Sequence, residues 1–246
     1  MERSKQRAYD YALVIVLGII IVTGLVILYS TSAYNGKLKF QDSFYYLKKQ
    51  IFATLLGIAG MWIIARVDYH VWKKWSVPGY LVSVLLGIAV LLIGDEYNGS
   101  KRWLSLGPFS FQPSEFGKIA LVLYLAAALS SYEAKNNFKG DAKQLWQPAL
   151  VAGLSMGCMV LQRDLGSALI FFGISITLLY VATSKRKYVF TALGLAAIGS
   201  VAGYAMFGHV RERVKIWLDP WKYALGSSYQ IVEGMYSIAA GGLFGV

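Results

Sequence analysis

The sequence predicts an all-α fold, a polytopic bundle of transmembrane helices. Of the 246 residues, 57% are hydrophobic and only 15% are charged, whereas soluble domains carry roughly 25% charged residues. The apolar residues also form long uninterrupted runs, each close to the ~20 residues that a helix needs to cross the hydrocarbon core. We therefore expect residues 1–246 to form a single integral membrane domain.

Seven apolar runs predict seven spans. The first run is too long for a signal peptide and lacks a small-residue cleavage site, so we interpret it as a retained helix. After an odd number of spans the chain stops in a Gly-rich stretch, and we expect it to be incomplete at its C-terminus. The predicted spans are Tyr11–Ser32, Leu47–Ala65, Val77–Gly94, Pro113–Tyr132, Leu145–Gln162, Leu165–Thr183 and Val189–Phe207.

Basic residues between the runs predict the orientation. With the N-terminus in the cytoplasm, the inner segments hold half of the 24 Lys and Arg residues in about half the loop length of the outer side, which holds most of the 13 acids. Because short basic loops stay inside, we expect a bacterial cytoplasmic (inner) membrane protein with the N-terminus inside. The segments 95–112 and 208–246 then form outer loops. The inner cations are Arg3, Lys5, Arg7, Arg66, Lys73, Lys74, Lys135, Lys139, Lys143, Lys185, Arg186 and Lys187.

The net charge of +11 has a membrane explanation. The cations lie in short loops between apolar runs, where they favour contact with anionic membrane lipids, so we expect no nucleic-acid partner. Cys158 is the only cysteine and lies in an apolar run, and His70 and His209 are far apart. We therefore predict no disulfide framework, no metal cluster and no metal site built from histidines. The sequence identifies no cofactor and leaves open whether a divalent metal takes part.

The predicted outer loop 95–112 contains a cationic and aromatic cluster. Asn98-Gly99 is a turn signal, and Lys101, Arg102 and Trp103 follow it. One interpretation makes Arg102 and Lys101 phosphate contacts, with Trp103 packing on a sugar or a lipid. The other makes the segment an interfacial anchor, because Trp residues settle in the headgroup layer.

Two charges lie at the start of the fourth predicted span. We expect Ser114 to cap the helix, with Glu115 and Lys118 three residues apart on one face, where they can pair. Lys118 would lie about 7.5 Å along the helix axis from Pro113. An ionisable residue at that depth indicates a functional site, although a lysine that snorkels to the interface beside Glu115 explains it equally well.

The polar turn Gln162-Arg163-Asp164 interrupts a long apolar run. In one interpretation it is a tight outer hairpin and nothing more. In the other, Asp164 faces inward and pairs with a basic group.

The last segment begins with an amphipathic pattern. Val210, Val214 and Trp217 lie opposite basic residues, which predicts a helix on the outer membrane surface. We expect this helix to end at Asp219-Pro220, and the glycines beyond it, including Gly234 and Gly245, to allow close backbone approach or sharp turns.

These motifs resemble those of the SEDS family, the shape, elongation, division and sporulation proteins RodA, FtsW and SpoVE. Residues 98–126 resemble the family's Gly-x-x-Arg-Trp, Leu-Gly and Gln-Pro-Ser-Glu-x-x-Lys signature, and residues 161–166 resemble its Gln-Pro-Asp-Leu-Gly turn. The segments 213–221, 226–232 and 241–245 resemble its large outer loop. The similarity covers nearly all of the chain in the right order.

The resemblance implies a ten-helix membrane protein that polymerises peptidoglycan strands from lipid II, a disaccharide-pentapeptide on undecaprenyl pyrophosphate, during elongation, division or sporulation. It implies a class B penicillin-binding protein as partner. The alternatives are a lipid II flippase and a scaffold without chemistry of its own. Under this resemblance Arg102 and Lys118 would contact the pyrophosphate, Trp103 would line the groove, and Glu115 and Asp164 would orient the two cations.

The chain also departs from the family pattern. The proposed catalytic aspartate of the family and its last three helices would fall beyond Val246, so we expect this chain alone to be inactive. Arg163 replaces the usual proline of the turn. The other departures lie in the large outer loop, at Ser228, Glu233-Gly234 and Ala240.

Overall fold

The seven long helices follow the hydropathy pattern in a computed structural model that describes residues 10–97, 100–106, 109–134 and 142–242. Nine α-helices and three short strands occur within these ranges. A single 3-10 turn, Trp221–Tyr223, separates the last two helices. The elements in chain order are α1 Tyr11–Phe40, α2 Tyr45–Ile64, α3 Tyr69–Ile93, β1 Asp95–Tyr97, β2 Ser100–Leu106, β3 Phe109–Phe111, α4 Pro113–Ala134, α5 Ala142–Leu161, α6 Leu165–Thr183, α7 Arg186–Met206, α8 Gly208–Leu218 and α9 Tyr229–Gly241.

The seven predicted spans are confirmed as α1 to α7, the helices in the described ranges that are long and apolar enough to cross a membrane. Several bounds were wrong. Helix α1 continues to Phe40, and α3 begins at Tyr69 with Pro78 inside it. Hydropathy marks the part of a helix that lies in hydrocarbon, and it does not detect turns that extend into the polar interface.

Some sequence predictions lie outside the described residues. They concern the Asn98-Gly99 turn, the glycine at Gly245 and several of the inner cations, namely Arg3, Lys5, Arg7, Lys135 and Lys139.

The chain divides into two compact units, Met1–Trp72 and Lys73–Val246, and the single-domain expectation stays a prediction. In the first unit α1 and α2 pack as a hairpin. The chain reverses at Gln41, whose φ is 56°. Gly36 is required beside this reversal, because a Cβ there would lie 2.8 Å from the carbonyl oxygen of Asp42.

The core of the second unit lies among α3, α4, α5 and α6. Leu121 and Leu125 of α4 pack with Val151 of α5 and Phe171 of α6. Tyr80 of α3 joins them, and its hydroxyl donates a hydrogen bond of 2.9 Å to the carbonyl oxygen of Val151. This bond satisfies the polar end of a buried ring and ties α3 to α5.

The segment 95–112, which we expected to be a loop, forms a small antiparallel sheet in the order β1-β2-β3. Asp95 lies opposite Trp103, and Leu104 lies opposite Phe111. The alternating Phe109 and Phe111 are typical of a strand. Strands of three residues are too short for that pattern to stand out from the surrounding polar residues.

The segment after α7 contains two helices where one was predicted. Helix α8 ends at Leu218, which confirms the predicted end before Asp219-Pro220. Its buried residue is Ile216, whereas Trp217 is 77% exposed. Helix α9 was missed because its glycines favour turns. Val232 is buried on it, and the Ser228 hydroxyl before it donates to the carbonyl oxygen of Pro220.

Candidate functional site

Asp164 is the most tightly held carboxylate of the predicted site. The chain turns at Arg163, whose φ is 57°, a value that a proline ring cannot reach, so this turn differs from the proline-containing one of the resemblance. Asp164 then caps α6. Its Oδ1 accepts from the Ser167 backbone N–H at 3.1 Å, and its Oδ2 accepts from the Ser167 hydroxyl at 2.7 Å. The residue is only 4% exposed.

Arg102 supplies the positive charge beside Asp164. Its Nη1 lies 3.6 Å from Asp164 Oδ1, so the interpretation in which Asp164 faces inward and pairs with a basic group is confirmed. The guanidinium comes from the central strand β2, and the same strand is tied to the turn by the Ser100 hydroxyl, which donates to the Arg163 carbonyl oxygen at 3.2 Å. The Arg102 Nε is buried and has no hydrogen-bond partner in the described part of the chain. It is therefore a donor that a bound anion could satisfy.

Lys118 and Glu115 form the second pair. Lys118 Nζ lies 2.8 Å from Glu115 Oε1, as their three-residue spacing predicted. The lysine side chain is 22% exposed and the glutamate is 59% exposed, so the ammonium is the less hydrated group. The predicted cap at Ser114 was wrong, because Pro113 already occupies the first helical position. Ser114 lies within the first turn and accepts a hydrogen bond from the Gln112 side-chain amide at 3.0 Å.

The two pairs belong to one end of the helix bundle because their elements pack on each other. Strand β2 packs on α4, and α4 packs on α6. The approach of α4 to α6 requires Gly117, since a Cβ there would lie 3.2 Å from Phe171 Cζ. This contact is one residue from Lys118 and in the second turn of the helix that Asp164 caps.

Trp103 is half-buried on β2, directly after Arg102. Trp103 pairs with Asp95 and Lys101 pairs with Glu96, with a register shift between the two pairs. Because paired residues share a face and the successive residues Asp95 and Glu96 point to opposite faces, Lys101 and Trp103 lie on opposite faces of the sheet. The predicted cluster of two cations and an indole is therefore divided between the two faces of the strand.

Lys101 lines a cleft that the sequence did not predict. The cleft has a volume of about 240 Å³ and lies where the end of α3, the sheet and the end of α5 meet. Arg163 lines it together with the sheet residues Lys101 and Glu96. The sequence indicates a turn at Arg163, and nothing local in it indicates that Arg163 lines the same cleft as Lys101.

Gln162 is a second residue that sequence reasoning did not single out. It is buried, and its Nε2 donates to the Gly87 carbonyl oxygen of α3 at 3.1 Å. This bond fixes the α5–α6 turn against α3, so it positions Arg163 and Asp164. A polar residue next to a charged pair in an apolar run is the signal that could have identified it.

The arrangement is suited to binding an anion. Arg102 and Lys118 are each oriented by a carboxylate, and Lys101 and Arg163 add positive charge at the cleft. Over the described ranges, no group of three or more His, Cys, Asp or Glu residues could hold a metal ion. Asp164 is already engaged by Ser167 and Arg102, so the carboxylates here orient cations.

The chain is similar to known proteins over almost its whole length. A family model described as the FtsW, RodA and SpoVE cell cycle protein matches residues 10–246. The chain is 33% identical to the "Probable peptidoglycan glycosyltransferase FtsW" of Geobacter sp. (strain M18), over 98% of this chain and 66% of that protein. It is 34% identical to the "Stage V sporulation protein E" of Bacillus subtilis (strain 168), over 99% of this chain and 66% of that protein.

A solved structure shows the same fold. The chain resembles one in a structure described as "Structural coordination of polymerization and crosslinking by a peptidoglycan synthase complex", with a TM-score of 0.75 and 30% identity. The match covers 96% of this chain and 67% of the other. The chain thus spans about two thirds of the length of the proteins that it matches.

Proposed function

Because this chain belongs to the FtsW/RodA/SpoVE family of cell cycle proteins, we propose that its site serves a peptidoglycan glycosyltransferase that polymerises lipid II. The relatives named as peptidoglycan glycosyltransferases support the activity. The single structural observation that supports the site is the Arg102–Asp164 pair, a cation held beside a buried carboxylate with an unpaired Nε donor.

The proposed reaction joins the 4-hydroxyl of one sugar to the anomeric carbon of another and expels undecaprenyl pyrophosphate. A base must take the hydroxyl proton, and positive charge must stabilise the departing diphosphate. Arg102 and Lys118 would contact the diphosphate, with Asp164 and Glu115 orienting them. Trp103 would pack on the sugar or lipid part of the substrate.

The charge balance of the site suits a diphosphate. Each of the two paired cations is compensated by its own carboxylate, so those pairs alone would not attract a dianion. Lys101 and Arg163 at the cleft outnumber Glu96, and they would supply the excess positive charge. Charge-assisted hydrogen bonds from Arg and Lys to phosphate are about twice as strong as neutral ones.

No described residue is assigned as the base. The family resemblance implies a catalytic aspartate in a segment that follows these residues, which would fit a site whose carboxylates are already paired. We propose that these 246 residues form the substrate-binding part of the enzyme, and that a segment beyond Val246 supplies the base.

We further propose an inner-membrane location, with the N-terminus in the cytoplasm and the sheet outside, and a class B penicillin-binding protein as partner. The related chain in the structure of a peptidoglycan synthase complex, which is described as coordinating polymerization and crosslinking, supports such a partner. A transpeptidase at the same membrane face would receive the strand as it emerges.

A binding experiment with the chain itself tests the site. Undecaprenyl pyrophosphate in detergent micelles should bind the wild-type chain, and Arg102→Gln should weaken binding about tenfold, because a hydrogen bond to a charged group contributes about 1.5–3 kcal/mol. Lys73→Gln is the matched control, since it removes one cation from the first turns of α3. Equal affinity of wild type and Arg102→Gln would exclude the proposed role of Arg102.

A reaction experiment tests the activity. In a polypeptide of the relatives' length that carries this sequence, Lys118→Ala or Trp103→Ala should abolish the formation of glycan polymer from lipid II in detergent while membrane insertion stays normal. Wild-type polymer yield from either variant would contradict that residue's role.

The same assay separates the alternatives. A lipid II flippase makes no polymer in detergent, where there is no bilayer to cross. A scaffold makes none either, and cells that depend on it would keep growing after the site charges Arg102, Glu115, Lys118 and Asp164 are all neutralised.

A further inference from the structure

An apolar groove lies among α4, α5, α6 and α7, with a volume of about 280 Å³. Leu125, Met156 and Leu179 form part of its walls, and Tyr188 and Leu195 line it from α7. Leu179 lies about 21 Å along α6 from Leu165, at 1.5 Å per residue. The groove is therefore at the opposite end of the bundle from Asp164, and it is not part of the site described above.

The groove walls suit hydrocarbon. Besides Tyr188, two residues with hydroxyl groups line it. Ser175 Oγ donates to the Phe171 carbonyl oxygen at 2.7 Å, and Thr191 Oγ1 donates to the Lys187 carbonyl oxygen at 2.8 Å. Their protons are already used within their own helices. The groove thus presents apolar surface and offers little to a polar ligand.

Positive charge lies at the mouth of the groove. Helix α6 ends at Thr183 with Ser184 as its C-cap, at φ 53°, and Lys185 is already the N-cap of α7, which begins with Arg186 and Lys187. The Lys187 ammonium lies 5.0 Å from the centre of the Tyr188 ring. Because that ring is part of the groove wall, the contact places a cation at the edge of the apolar surface.

The start of α7 would also favour an anion. Lys185 at the N-cap makes no side-chain capping bond, and the first turn contains no acidic residue. Cations at this end oppose the helix dipole, whereas a phosphate would be attracted both by the dipole and by the lysines. Among the described residues, neither Arg186 nor Lys187 forms an ion pair with a carboxylate.

We propose that this groove binds an anionic phospholipid of the phosphatidylglycerol type. One acyl chain lies against the groove walls, and the headgroup phosphate contacts Arg186 and Lys187. Basic pockets between transmembrane helices bind anionic headgroups in this way. The proposal does not depend on the proposed reaction, because its residues are at the other end of the bundle.

Photocrosslinking of the purified chain in lipid nanodiscs tests the proposal. Phosphatidylglycerol with a diazirine near the end of its acyl chain should label residues of the 172–195 region, as mapped by peptide mass spectrometry. The phosphatidylcholine analogue with the same acyl chain should label this region at least about fivefold less, because each cation near the headgroup favours the anionic lipid by about that factor. Equal labelling by both lipids, or labelling confined to other helices, overturns the proposal.

Two variants separate the headgroup contact from the groove. Arg186→Gln with Lys187→Gln should remove the preference for phosphatidylglycerol, whereas the control pair Lys73→Gln with Lys74→Gln should keep it. Ala192→Phe, which fills the groove from α7, should reduce labelling by both lipids. If the Arg186/Lys187 variant keeps the full preference while its melting temperature is unchanged, the proposed headgroup contact is wrong.

Discussion

Asp164 links two elements through one carboxylate. It accepts two hydrogen bonds from Ser167 at the start of α6, and it lies 3.6 Å from Arg102 Nη1 of the sheet. A buried carboxylate needs such partners, because burial of an unpaired charge is costly. The same residue therefore contributes both to the stability of the turn and to the position of the guanidinium.

The two contributions of Asp164 can be separated by substitution. Asp164→Asn keeps a good N-cap but loses the charge beside Arg102, and Asp164→Ala loses both. We expect the alanine variant to be less stable than the asparagine variant by about 1 kcal/mol, the usual value of a cap. Thermal unfolding in detergent measures this, with about 2–4 °C expected per kcal/mol for a chain of this size. Identical melting temperatures for the two variants would show that the capping bonds contribute nothing.

At the scale of elements, the contact between α4 and α6 depends on a residue without a side chain. Gly117 of α4 faces the Phe171 ring of α6 at a distance that leaves little room for a methyl group. Larger residues at 117 would separate the two helices that hold Lys118 and Asp164. The geometry of the site is thus linked to the packing of the core below it.

We expect Gly117→Leu to destabilise the protein by about 1–3 kcal/mol, the usual cost of overpacking. Gly157→Leu on α5 is the matched control, because no atom lies within 4 Å of a Cβ at that position. Shortening the ring with Phe171→Leu should recover part of the loss in the double variant. Thermal unfolding of all four proteins gives the coupling between the two positions, and a zero coupling would contradict the close contact.

The α1–α2 connection is stabilised by an exposed ion pair. Asp42 accepts from Lys48 Nζ at 2.8 Å and from the Phe44 backbone N–H at 2.9 Å. The hydrogen bond from Lys48 lowers the pKa of the Asp42 carboxyl below its usual range, and the bond from the Phe44 backbone lowers it further by a smaller amount. Its contribution to stability is therefore present above the usual carboxyl pKa and is lost as the pH falls through the lowered value.

Lys48→Met should raise the Asp42 pKa towards its usual range, because the first of the two donors is removed. A carboxyl carbon NMR titration of Asp42 in detergent measures the shift. Lys49→Met is the control, since Lys49 lies over the Tyr45 ring and makes no bond to Asp42. An unchanged Asp42 titration in Lys48→Met would mean that the pair does not persist in solution.

At the scale of the second unit, two ends of the bundle have different chemistry. One end holds the sheet, the paired charges and the Lys101–Arg163 cleft, and the other holds the apolar groove and the basic start of α7. The proposed function requires the first end to face the outside of the cell. The orientation of the bundle in the membrane therefore decides which side of the membrane each of the two proposed sites faces.

Cysteine labelling tests the orientation. In a Cys158→Ser background, Ser110→Cys in the sheet should react with an impermeant maleimide added to intact spheroplasts. Ser184→Cys between α6 and α7 should react only after the membrane is permeabilised. Both side chains are exposed in the structure, so access from each side decides the result. The opposite pattern would place the proposed substrate site in the cytoplasm and would refute the proposed function.

The sequence by itself determined what is local or set by the membrane. The seven spans follow from the thickness of hydrocarbon, which demands long apolar runs whatever their neighbours are. The Lys118–Glu115 pair follows from helical spacing, and the end of α8 follows from the proline after it. Each of these needs only a few consecutive residues to form.

Only the tertiary structure decided which distant residues meet. Strand β3 and the helices α4 and α5 separate Arg102 from Asp164 in the chain, and nothing between them indicates their contact. The same holds for the hydrogen bond of Gln162 with Gly87, and for Lys101 and Arg163, which line one cleft. The sheet and α9 were missed for a related reason, since short strands and a Gly-containing helix depend on packing to offset weak local preferences. Local preferences therefore define the helices of this protein, whereas packing between them assembles its site.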